Sequence, residues 1–423
     1  MTNNIFSSFK NKNFRLFFAG QSISLLGTWM QKTAVSWVIY SLTQSKFMLG
    51  VSVFATLFPT ALFSLYGGVV ADRYSRYRVL LSTQLISLLQ AILLTLAVAF
   101  FKRYAVWEII GLSVVLGIIN GFDAPARQSL IRDFIRDKAS LPNALALNSS
   151  MVNLAKLIGP AIAGILLDKY SDVVCFGLNA LSFIPVIVSL LLMKLPKQEI
   201  ASKADKNIRE EFAEVITYIK NTAEVSSVII FVAIMSLLVL PFTTLTPVFA
   251  KDIFHGSAYT LGIIDGAIGF GAMIGALFLA SLKQGTDLSK VLAVNTMIFG
   301  LGLTLFSQVL LLPLALLFIT IGAFGMMSVR TVSNTIIQLH VPNRFRGRVI
   351  SIYLMTLTLM MPIGSLIIGA VSHYVGVQTT ILAEGLIALV IALLYGRYLK
   401  KEKLKNEEQP LLQHPSEEEL IQA

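Results

Sequence analysis

Residues 67–80 read GGVVADRYSRYRVL, and this stretch decides the fold. An apolar run ends at Ala71 and an acid follows at Asp72. Arg73, Arg76 and Arg78 then arrive before a second apolar run starts at Val79. A carboxylate this close to hydrocarbon needs a partner or a helix N-terminus. The stretch therefore reads as a very short turn at a membrane surface, with one span arriving and the next departing.

A helix needs about 20 apolar residues to cross a hydrocarbon layer of about 30 Å. Twelve such stretches lie along the chain, at 15–40, 47–71, 79–101, 105–124, 144–167, 172–193, 226–250, 258–281, 290–310, 312–334, 348–371 and 377–398. Composition agrees, since only 13% of the 423 residues are charged and 55% are apolar, against about 25% charged in a soluble domain. The first run is too long for the core of a signal peptide and reads as a retained span. Cys175 is the single cysteine, which excludes an intramolecular disulfide framework or a cysteine metal cluster. His255, His340, His373 and His414 are scattered and form no metal set.

An even number of spans puts both termini on one side. Lys46, Lys102, Arg103, Lys169 and Lys251 fall on the other side and Lys32 and Lys156 within spans, which leaves 27 of the 34 Lys and Arg with the termini. Short basic loops stay cytoplasmic, so both termini are expected in the cytoplasm. The net charge of +11 is thereby a matter of topology. Nothing resembling a helix-turn-helix or an aromatic RNA-binding motif supports nucleic acid as a partner.

The chain divides into a six-span half (1–193), a linker (194–225), a second six-span half (226–399) and a charged tail (400–423) expected to be disordered. In the linker, Ile208, Phe212, Val215, Ile216 and Ile219 share one helical face. The segment is an amphipathic helix lying at the cytoplasmic interface or a solvated tether. The halves also echo each other, because Gly159 and Gly164 recur as Gly364 and Gly369 at an offset of 205, and Arg127 has a rough counterpart in Arg330. Same-orientation repeats of six spans are parallel halves with a binding cavity between them near the midplane. In span eight Gly262, Gly266, Gly271 and Gly275 permit close helix contact.

The loop from Gly68 through Asp72, Arg73, Arg76 and Arg78 resembles the GxxxDRxGRR signature of the major facilitator superfamily, with Ser75 and Tyr77 as departures. Gly159-Pro160-x-x-Ala163-Gly164 resembles the span-five signature of that superfamily's exporters, with Ala163 replacing a glycine. The segments 14–31, 123–135, 141–150 and 336–351 are similar to the branch of enterobactin exporters and macrolide efflux pumps. The resemblance implies an all-α membrane fold of twelve helices in two parallel six-helix pseudo-repeats. It implies a monomer among membrane lipids that exchanges a small molecule for protons without a cofactor. In that family the Asp and Arg of the loop latch the halves at the cytoplasmic side. Asp123, one turn before Arg127 at the end of span four, reads as a helix-end pair belonging to the cytoplasmic gate. Gly159, Pro160 and Gly164 would form a hinge.

Charged residues inside a span cost roughly 2.5–3.5 kcal/mol each and call for a partner or a function. Lys32, Lys156, Asp265 and Glu384 are the candidates. In the superfamily fold spans five and eight face each other, so Lys156 and Asp265 are expected to approach in one state and separate in another, with Asp265 exchanging a proton. The alternative is that each pairs locally. Glu384 sits on a span peripheral in that fold and ranks low. Span one carries Gln21, Ser24, Thr28, Gln31 and Lys32 on one face, which suits the wall of a water-filled cavity, or else hydrogen bonding between helices. Few fixed charges line the expected cavity, which points to neutral or weakly charged cargo.

The sequence thus predicts a proton-driven exporter of small apolar or amphipathic molecules such as drug-like compounds or siderophores. An importer or a lysophospholipid flippase on the same scaffold is the alternative. No GxxxxGK[ST], HExxH or GxSxG element is present to support a membrane enzyme. A non-transporting sensor would be told apart only by absence of flux.

Overall fold

The computed structural model describes residues 7–101, 104–135, 140–193, 208–283 and 285–413. The first six crossings are α1 (Lys12–Thr43), α2 (Lys46–Arg73), α3 (Arg76–Phe101), α4 (Val106–Phe134), α5 (Leu141–Lys169) and α6 (Asp172–Leu192). Side chains mark where several of them start. Asn11 accepts from the amides of Asn13 and Phe14 ahead of α1, and Ser45 and Ser171 cap α2 and α6. After α7 (Ile208–Asn221) the second set begins.

The seventh crossing is broken. α8 (Ala223–Leu238) gives way to a 3-10 turn at Leu240–Leu245, then α9 (Thr246–Val248) and a π turn at Phe249–Ile253. Pro241 and Pro247 fall in this break, and each removes an amide that an α-helix would use. The remaining crossings are α10 (Ala258–Ala280), α11 (Leu288–Gln308), α12 (Leu312–His340), α13 (Asn343–Val375) and α14 (Val377–Gln413).

Eleven crossings are long and apolar enough to span a bilayer. The twelfth, α1, has the length, but Gln21, Ser24, Thr28, Gln31 and Lys32 dilute its hydropathy. The twelve-span expectation and the all-α fold hold.

The internal repeat reappears as equivalent contacts. A Cβ on Gly159 would lie 2.6 Å from Trp29 of α1, and one on Gly364 would lie 2.1 Å from the Leu237 carbonyl of α8. Gly164 packs on Gly262 of α10, and Gly369 on Gly50 of α2. Span five thus touches spans one and eight where span eleven touches spans seven and two. Gly271 and Gly275 abut the carbonyls of Thr320 and Phe324 on α12, while Gly266 has only a loose neighbour. The first of each glycine pair fastens span to span within a half, and the second fastens half to half.

Val215 and Ile219 of α7 are buried. Tyr218 stacks on Phe345 at 4.8 Å between ring centroids, and Arg344 donates to Glu214. The apolar face of this helix is therefore docked on the start of α13. The side chains of Ile208 and Phe212 lie outside the described residues. At the far end α14 runs unbroken to Gln413, so residues 400–413 of the expected disordered tail are helical. Lys, Glu, Leu and Gln in KKEKLKNEEQ are strong helix formers, and opposite charges recur one turn apart. Residues 414–423 lie outside the described residues.

Glu384 on α14 is 2% exposed, and neither carboxyl oxygen has a hydrogen-bond partner among the described residues. Replacing an orphaned buried acceptor with an apolar side chain of similar length recovers about 1–3 kcal/mol. Glu384→Met should therefore melt at higher temperature than the parent chain in the same detergent. An unchanged or lower melting point would mean that the carboxyl has a partner.

Candidate functional site

The halves meet at the end of the bundle away from the chain termini. Three side-chain hydrogen bonds across them lie toward that end: Thr33 to Asp265 (3.3 Å), Tyr40 to Asp252, and Lys46 to the Ser372 carbonyl (3.1 Å). The Gly164–Gly262 and Gly369–Gly50 contacts lie there too. Below this closure, toward the termini, charged side chains in the middle of α1 and α12 are open to water. Lys32 and Arg330 are both exposed, which a lipid-facing position could not sustain.

The wall of this passage is basic. Lys32 Nζ sits 4.7 Å and Lys156 Nζ 5.4 Å from the centre of the Trp29 ring, so one indole serves two ammonium groups. Arg330 lies within electrostatic range of both lysines. Its guanidinium touches only the Met361 sulfur, at 3.5 Å, among the hydrogen bonds and ion pairs resolved for it. Its backbone carbonyl accepts from Tyr353 Oη at 2.6 Å.

Asp265 is the acid of the site. Thr33 of α1 and Thr246 of α9 donate to its two oxygens, at 3.3 and 3.1 Å. Lys32 lies within its electrostatic reach, whereas no ion pair joins Lys156 to Asp265. The expected pair is apart in this conformation. Lys156 rests on Trp29, and Asp265 bridges the halves through hydroxyl groups.

The polar stripe of α1 divides. Lys32 faces the passage, but Gln21, Ser24 and Gln31 are buried. Asn179 of α6 donates to Gln31, which in turn donates to Gln90 of α3 at 3.4 Å. Thr28 bonds the Ser24 carbonyl one turn back at 2.9 Å. Cavity lining is therefore corrected for Gln21, Ser24 and Gln31. A quarter-turn of the helix separates water from the α3 and α6 interface, and spacing alone does not say where the boundary falls.

In the 67–78 loop, Arg76 pairs with Asp133 at 2.8 Å and with Asp72 at 4.0 Å. Asp133 ends α4 and was not anticipated. Arg127 and Asp123 form the expected i,i+4 pair at 3.3 Å, and Thr83 and Gln84 donate to the same Asp123 carboxylate. These ion pairs stay within the first half. A Cβ on Gly67 would strike the Gly121 carbonyl at 2.1 Å, while one on Gly68 would meet open space, so the close approach belongs to Gly67. Arg73 and Arg78 line a cavity of about 770 Å³ on the flank of the first half, floored by Val115, Ile118 and Phe122 of α4.

The sequence of the transmembrane secretion effector family matches residues 3–422. The chain belongs to that family. It is 26% identical over 396 residues to the staphyloferrin A transporter of Staphylococcus aureus, covering 93% of this chain and 98% of that one. It is 22% identical over 394 residues to macrolide efflux protein A of Streptococcus pyogenes, covering 91% and 96%. Among solved structures, a bacterial homologue of the human lysosomal transporter Spinster, in an inward-facing and unoccupied conformation, superposes with a TM-score of 0.67 at 14% identity, covering 95% of this chain and 99% of that one. The family and these relatives are transporters, and the chain is a multi-pass membrane protein of the major facilitator type.

Proposed function

We propose that this protein exports a small molecule across the cytoplasmic membrane by alternating access, in exchange for protons, with both termini in the cytoplasm. The observation that carries the reading is the one-sided meeting of the halves. Contact at the end away from the termini, with Lys32 and Arg330 in open space below it, suits a passage loaded from the side of the termini. With Arg330 in the passage, that side holds 26 of the 34 basic residues, and this excess supports reading it as the cytoplasmic side.

Asp265 supports the coupling. It is an intramembrane carboxyl at the seam of the two halves, so its protonation bears directly on whether they stay joined. The relatives' names point to a siderophore or an antibiotic as cargo. A strain lacking the gene should become hypersensitive to members of a toxic-compound panel or stop releasing a siderophore, and the plasmid-borne gene should restore the phenotype. Cells that instead accumulate less of an external compound when the gene is lost would establish uptake and end the export reading.

A further inference from the structure

Charge in the passage does not balance. Lys32, Lys156 and Arg330 face it, Asp265 is the one acid set against them among the described residues, and that acid already accepts from Thr33 and Thr246. The repeat sharpens the point. Arg127 in the first half is held by Asp123 four residues before it. The position four residues before Arg330 is Met326, so the second half keeps the arginine and lacks its acid. Two ammonium groups share one indole instead of a carboxylate. A water-filled passage tolerates these cations, and their excess of positive charge favours an anion from outside the chain.

We infer that the passage is a binding site for a small polycarboxylate, held by Lys32, Lys156 and Arg330 with Trp29 as the wall between the lysines. This names the substrate class and rests on the export reading. From the closed ends of their helices, Lys32 lies about 16 Å deep, Lys156 about 20 Å and Arg330 about 27 Å, at 1.5 Å per residue. The cations therefore form a staggered row that can engage more than one carboxylate of the same molecule. Arg330 offers a planar fork for bidentate pairing, and the lysines offer point charges. Asp265 closes the row on the outer side and repels an anion from passing while the halves are joined. This cargo differs from the neutral one expected from the sequence, where Arg330 counts with the cytoplasmic loops.

The test uses the full chain in lipid nanodiscs with propane-1,2,3-tricarboxylate as the probe, its trimethyl ester as the uncharged control of the same shape, and chloride at matched ionic strength. Binding is read by calorimetry and by tryptophan emission, which a redistribution of the two ammonium groups around Trp29 would shift. The tricarboxylate should bind saturably and the ester and chloride should not. Lys156→Gln and Arg330→Gln should each weaken binding by about tenfold or more, and Arg330→Lys should recover part of the loss. Absence of saturable binding, equal competition by chloride, or unchanged affinity in both glutamine variants would overturn the inference. Flux in inside-out vesicles separates it from the export reading. Tricarboxylate bound without any carboxylate or drug flux leaves the site standing and sinks export, whereas proton-driven drug flux without tricarboxylate binding does the reverse.

Discussion

Asp265→Asn is expected to abolish accumulation driven by a pH gradient while sparing exchange of cargo down its own gradient. Asparagine keeps the shape of the side chain and one oxygen for Thr33 or Thr246, so the seam between the halves persists. What it lacks is a site that takes up and returns a proton. For one-for-one exchange each pH unit sustains about a tenfold concentration ratio, or about 1.4 kcal/mol. Wild-type inside-out vesicles should show that ratio for the cargo found by the deletion strain, and the variant should stop at equality. Undiminished proton-driven accumulation in the variant would end the assignment of Asp265. The cations facing the carboxyl, Lys32 from α1 with Arg330 and Lys156 beyond it, remain in both proteins.

The second large effect concerns the outer closure. A Cβ on Gly164 would lie 2.7 Å from the Ala258 carbonyl and 3.1 Å from the Gly262 Cα, both backbone atoms that cannot rotate away. Gly164→Leu must push α5 and α10 apart. Overpacking of this kind costs about 1–3 kcal/mol. Because the contact joins the halves, the cost falls on the conformation closed at the outer end. Its population, and with it flux, should drop about fivefold to a hundredfold. Gly369→Leu meets the Lys46 carbonyl at 2.9 Å in the repeat-related place and should behave alike, whereas Gly111→Leu, with nothing within 4 Å, should not. A Lys46→Cys probe labelled in whole cells reads the change directly. Faster labelling in the two tight variants is expected, and equal labelling in all four backgrounds would show that the glycine contacts do not govern closure.

The parts of this fold legible in the sequence are those written in local composition. Twelve apolar runs, a basic turn at 72–78 and glycines 205 residues apart each reflect a constraint acting on neighbouring residues. The helices outrun the apolar spans for the same reason, since α1, α13 and α14 extend to Thr43, Val375 and Gln413, beyond span ends at 40, 371 and 398. The site was less legible because its pairings are long-range. Thr33 and Thr246 are 213 residues apart and look unremarkable alone, yet they hold one carboxyl. Gln31 has the spacing of a cavity residue but points toward Gln90 and Asn179. Arg330 lies ten residues inside α12, although the apolar run around it suggests a helix end. Only the three-dimensional arrangement brings it within electrostatic range of Lys32 and Lys156.

The interrupted seventh crossing gives the lobes unequal stiffness. Its counterpart in the repeat, α1, is a continuous rod of 32 residues, whereas the chain from Val239 to Ile253 has already surrendered the regular ladder. Thr246, which grips the acid, belongs to that yielding stretch. A change of charge at the acid is thus delivered to a stretch with no continuous α-helical ladder, joining 3-10, α and π turns.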